Sequence, residues 1–142
     1  MQSSLLLSET EALQMNPVAL AFLGDAVYSL WVRERLVKNG AGDIASYQRF
    51  ASTVESARGQ NGLLERILPL FTERETEIFK RGRNAKKATK SKSASVAEYN
   101  RSTGLEAVLG FLYLTGNYAR VDELLSYMDE VKGASAPTAY KP

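Results

Sequence analysis

Apolar residues recur at intervals of three and four along most of this chain, and no segment alternates apolar and polar positions in the manner of a half-buried strand. The pattern therefore predicts helices. Asn16-Pro17 supplies a cap and a proline at the first helical position, opening a helix that should run to about Lys38 and end at Asn39-Gly40-Ala41-Gly42. Asp43 caps a second helix through about Ala57, with Ile44, Tyr47, Phe50, Ala51 and Val54 at helical spacing. A short third covers Asn61 to Leu68 and stops at Pro69. Thr72-Glu73-Arg74-Glu75 reads as a capping box for a fourth, which carries Ile78 and Phe79. An irregular stretch is expected from Arg81 to about Ala94. Ser95-Val96-Ala97-Glu98 then opens a long helix to Leu114, and Tyr118 to about Val131 forms the last, with Val121, Leu124, Leu125 and Met128 inward. The expected fold is all-α, one domain over residues 1–132 with about six to seven helices, and a flexible tail over 133–142.

Two of these helices are apolar on nearly every side, and each is interrupted by one acid. Asp25 lies within Pro17 to Val32, and Glu106 within Gly104 to Leu114. No Lys or Arg lies within seven residues of Asp25 or within four of Glu106, so neither acid has a partner on its own helix. An ionised carboxylate on a core-forming helix costs several kcal/mol unless a cation compensates it. Three readings compete: a bound metal ion, a cross-helix ion pair, or simple solvent exposure. At about 3.6 residues per turn, Ala21, Asp25 and Ser29 share a face, as do Ser102, Thr103, Glu106 and Gly110. Faces that meet would bring the two carboxylates together among small and hydroxyl neighbours. Magnesium suits such a site, because it keeps several waters and needs only one or two protein carboxylates. Gly24 and Gly110 would permit close backbone approach or serve packing alone. Phe22, Leu23, Val27, Leu30 and Trp31 read as core.

Composition narrows the chemistry sharply. The 142 residues contain neither cysteine nor histidine, which excludes disulfides, thiolate chemistry, imidazole catalysis and the usual zinc sites. Ser29, Ser102 and Thr103 have no activating base nearby, so a hydroxyl nucleophile is not expected. What remains is carboxylates, Lys, Arg, and a hard metal held by oxygen. The first ten residues lack a basic start and a long apolar run, and the longest apolar stretches are broken by Asp25 and Glu106. A cytoplasmic protein is expected.

Charge is unevenly spread. The formal net charge is +2, yet Lys80, Arg81, Arg83, Lys86, Lys87, Lys90 and Lys92 lie together in a segment with no acid, and the remainder is net acidic. Such a basic arm favours a polyanion through counterion release. A solvated loop without a partner is the plain alternative.

With these residues in view, Leu20-Ala21-Phe22-Leu23-Gly24-Asp25-Ala26-Val27 resembles the signature of ribonuclease III catalytic domains. Thr103 to Leu114 is similar to the second acidic helix of that family, and Lys80-Arg81-Gly82-Arg83-Asn84 falls where its members carry a Gly-Lys-Gly-type turn. With no appended double-stranded-RNA-binding domain, the resemblance points to the short Mini-III branch, which the Arg-Gly-Arg-Asn block and Glu98-Tyr99-Asn100-Arg101 also resemble. Two family acids are absent, their places taken by Ala21 and Thr103.

The resemblance implies a magnesium-dependent endonuclease of double-stranded RNA that leaves a 5′ phosphate, acting in maturation of the large-subunit (23S) ribosomal RNA precursor. Asp25 and Glu106 would be the catalytic and metal-binding residues. Lys80, Arg81, Arg83, Asn84, Lys86, Lys87, Lys90 and Lys92 would grip the RNA. The implied assembly is a homodimer, with Phe22 of the signature helix at the subunit contact and a ribosomal protein as a candidate assistant. Glu98 reads as a helix cap, and Tyr99 and Tyr113 as packing residues. A non-catalytic helical RNA-binding protein of the same fold is the rival reading.

Overall fold

The computed structural model describes residues 6–40, 42–87 and 95–128; Lys90, Lys92 and the expected tail lie outside the described residues. Within them, nearly every helix starts at a side chain that accepts from amides the first turn leaves free. Ser8 caps α1 (Glu9–Leu13), Asn16 caps α2 (Pro17–Asn39), and Asp43 caps α3 (Ile44–Glu55). Ser56 caps α4 (Ala57–Ile67), Thr72 caps α5 (Glu73–Asn84), and Ser95 caps α6 (Val96–Leu114). A 3-10 turn at Leu68–Leu70 accommodates Pro69, and α7 (Tyr118–Leu125) follows Gly116. The described residues are all-α, as the pattern predicts. Glu98 closes the Ser95 capping box, the role expected of it.

Five points differ from expectation, one being that the helix expected from Asn61 begins at Ala57. The helix α1 was not foreseen, although Ser8 and Glu11 form a capping box. The second predicted helix ends at Glu55, because extended Ser56 starts a new helix there. Arg81, Gly82, Arg83 and Asn84 are helical rather than irregular, since Gly82 is buried on α6 and lets α5 continue. The last helix stops at Leu125 instead of reaching Val131.

The centre of the fold is the crossing of α2 and α6. Gly24 lies directly on the backbone carbonyl of Glu106, and Gly110 on that of Leu20, so a methyl group at either glycine would overlap the facing helix. Close approach is therefore built in at both ends of the crossing. Helix α6 is buried on most sides, with Leu105, Ala107, Val108, Leu109, Phe111 and Leu112 all in the core. Helix α5 covers another side of α6, where Phe79 packs over Gly104. Polar ties hold the outer helices. The Tyr28 hydroxyl donates to the Val54 carbonyl at 2.8 Å, linking α2 to α3. Arg120 of α7 donates to both oxygens of buried Glu75 on α5, at 2.8 and 2.9 Å. Trp31 and Arg35 of α2 both donate to Asp122 of α7.

Of the residues read as core on α2, Val27 and Trp31 are buried and Leu23 is half-buried, but Phe22 is 84% exposed and Leu30 is 47% exposed. Together with Val37 they lie toward one outer side of α2, at spacings of eight and seven residues, which helical geometry keeps within about 80° of one another. No helix among the described residues is long and apolar enough to cross a membrane.

Candidate active site

The glycine-mediated crossing decides where the two awkward acids fall. Asp25 follows Gly24, which rests on the Glu106 backbone, so the two carboxylates converge at the α2–α6 junction. Asp25 is exposed at the rim, and Glu106 lies half-buried below it. Burial, and then the charge and hydrogen-bonding contact of Asp25, push the Glu106 carboxyl up to about 8, while a hydrogen bond from Gln60 pulls the other way. Neither acid forms an ion pair with a described Lys or Arg. Of the three sequence readings, the cross-helix ion pair finds no partner among the described residues.

The floor of the site comes from α4. Gln60 is 2% exposed and donates through Nε2 to Glu106 Oε2 at 3.0 Å and to the Glu55 carbonyl at 3.2 Å. The adjacent Asn61 donates to the carbonyls of Ala57 and Glu98 and accepts from Arg101 Nε at 2.9 Å. Sequence reasoning missed Gln60, Asn61 and Arg101. A signal existed for Gln60: it occupies the buried stripe otherwise filled by Leu63, Leu64 and Ile67, where an amide is out of place. The hydroxyls are committed elsewhere. Thr103 donates to the Tyr99 carbonyl and Ser102 to the Ala57 carbonyl, in keeping with no role as nucleophiles.

Among the described residues there is no cluster of three or more side chains of metal-ligating type, and Ala21 and Thr103 stand where the resemblance would place further acids. The candidate ligands are thus the carboxylates of Asp25 and Glu106, beside which Gln60 donates through its nitrogen and keeps a buried amide oxygen without a protein partner. Hard oxygens, few in number and beside an exposed rim, fit a divalent cation that retains most of its water. A cation here would also offset the burial and the neighbouring Asp25 charge that raise the Glu106 carboxyl.

The basic residues separate into groups. Lys80 and Lys86 are exposed. Arg83 donates to Asn84 and sits 5.6 Å above the Phe79 ring. Lys87 turns back onto the carbonyls of Arg83 and Ala85 at the end of α5, and burial pushes its ammonium down. Arg81 donates to the Leu13 and Met15 carbonyls, which fastens α5 to the chain between α1 and α2.

Comparison with known proteins places this geometry in a class. The family model described as Ribonuclease III domain matches residues 18–117, so the chain belongs to the ribonuclease III family. It is 43% identical to the Mini-ribonuclease 3 of Symbiobacterium thermophilum over 113 residues, covering 80% of this chain and 87% of that one. It is 42% identical to the Mini-ribonuclease 3 of Streptococcus pneumoniae over 122 residues, covering 84% and 95%. A crystal structure of a Fusobacterium nucleatum protein superposes with a TM-score of 0.75 at 27% identity, covering 80% of this chain and 92% of that chain. These relatives place the chain in the short Mini-ribonuclease 3 branch, and it is an endoribonuclease of the ribonuclease III type whose products carry 5′ phosphates.

Proposed function

We propose that this chain is a magnesium-dependent endoribonuclease that cuts double-stranded RNA in the maturation of the 23S ribosomal RNA precursor, working in the cytoplasm as a homodimer. The observation that carries the reading is the convergence of Asp25 and Glu106 at the α2–α6 junction, with no cationic partner among the described residues. The chemistry a magnesium ion would supply there when bound is Lewis acidity toward water and the phosphoryl oxygens. Asp25 and Glu106 would hold the ion. Gln60 keeps Glu106 directed into the junction, and exposed Asp25 meets the substrate side.

Helical RNA presents phosphates and 2′-hydroxyls rather than readable base edges, so grip must come from shape and charge. Lys80 and Lys86, both exposed, would contact phosphates, as would Arg83, Asn84 and Lys87 near them in sequence at the end of α5. Arg81 would add charge to the same run while bound to its two carbonyls. Lys90 and Lys92 extend the same run in sequence. The exposed row of Phe22, Leu30 and Val37 supports a second copy of the chain packing on α2, which would set two sites across one duplex. Assistance from a ribosomal protein belongs to the same reading.

The test is direct. Duplex RNA incubated with the protein and magnesium should be shortened, and the new ends should accept a kinase label only after phosphatase treatment. RNA that is retarded in a gel but never shortened would establish the binding-only alternative.

A further inference from the structure

We propose that Gln60 is a positioning residue of the ion site, serving as the neutral replacement for the acids this chain lacks at Ala21 and Thr103. The inference rests on the reading of Asp25 and Glu106 as ligands of a divalent cation. Its own basis is the environment of one amide. The Glu55 carbonyl can only accept, so the NH2 end of Gln60 must face it, and the same nitrogen reaches Glu106 Oε2. This fixes the amide the right way round without ambiguity. A donor on one carboxylate oxygen sets the rotation of the Glu106 carboxyl group beside Asp25, where a cation would lie.

The second oxygen in the argument belongs to Gln60 itself. Its Oε1 is buried and accepts from no protein group, although buried polar atoms are ordinarily paired. A side chain serving only to tie the α3–α4 corner to α6 needs the nitrogen and gains nothing from this oxygen. Beside a hydrated cation the oxygen has a use, because ion-held water donates strongly to nearby carbonyls. The position also sits in the apolar stripe of α4, where Met would fill the same space without burying an amide. Both ends of the Gln60 amide thus serve the ion site, one through Glu106 and one directly through water.

Manganese binding to the full chain, followed by the electron paramagnetic resonance of free manganese, tests this without RNA. Wild type should bind, and Glu106→Ala should not. Gln60→Met, which keeps the volume and removes both polar atoms, should bind on the order of tenfold more weakly. Gln60→Glu, which exchanges the donor for a further acid, should bind more tightly than wild type. In cleavage assays Gln60→Met should need correspondingly more magnesium for half-maximal rate and recover most of its rate at saturation. Thermal melts followed by circular dichroism establish that each variant is folded, and if Gln60→Met is not, Gln60→Glu carries the test alone. Unchanged manganese affinity in the folded Gln60 variants would overturn the assignment while leaving the two-carboxylate site intact. Wild-type affinity in Glu106→Ala would instead remove the site on which the assignment depends.

Discussion

At Glu106, burial and the neighbouring Asp25 carboxylate act in one direction, and the consequence is a pH dependence of folding. The folded carboxyl is raised from 4.5 to about 8, so between those values the native state holds a proton that the unfolded chain has released. Stability from this group therefore falls as pH rises through that window, opposite to an ordinary paired carboxylate. Without divalent cation, wild-type protein should melt at a lower temperature at pH 8 than at pH 5.5 by a few degrees more than Glu106→Gln does. Magnesium should raise the wild-type melting temperature at pH 8 and leave that of Glu106→Gln nearly unchanged. Identical pH profiles for the two proteins would mean that Glu106 is not held in its protonated form.

Between helices, the most consequential polar contact is Glu75 with Arg120, which joins α5 to α7. Burial works against the Glu75 carboxylate, but Arg120 and the Thr72 cap outweigh it and hold the carboxyl below its usual range. Arg120→Met would leave that charge buried and unpaired, at a cost of about 3–5 kcal/mol. Urea denaturation should show this as a lower midpoint, and an unchanged midpoint would show that Glu75 finds solvent or another partner. The same scale shows what was legible in the sequence. Caps at Asn16, Asp43, Thr72 and Ser95 gave correct helix starts because they act within a few residues. Ser56 was passed over because helical spacing runs through it, and only its extended backbone separates α3 from α4. The sequence predicts an irregular stretch from Arg81, yet burial of Gly82 on α6 keeps α5 helical to Asn84, a tertiary contact overriding local propensity. Asp25 and Glu106 stood out because each breaks an apolar run. Gln60 stayed hidden because its partners are far along the chain: Glu106 is 46 residues away.

For the whole molecule, the outer face of α2 gives the clearest expectation. Phe22 is apolar, large and 84% exposed, which a lone chain has no reason to retain in line with Leu30 and Val37. Its reading as core failed for a physical reason: an apolar helical pattern does not say which of its sides the rest of the chain covers. Phe22→Asp should sediment as a monomer under conditions where wild type sediments as a dimer, and a monomeric wild type would contradict the proposed assembly. The central claim remains that a divalent cation held between Asp25 and Glu106 drives the cutting of duplex RNA. Its most direct measurement is the cleavage rate of one duplex by wild type and by Asp25→Asn, each with and without magnesium. The account predicts cutting by wild type with magnesium alone, and a loss of about a hundredfold or more in Asp25→Asn. Equal rates for the two proteins, or full activity of wild type without any divalent cation, would contradict it.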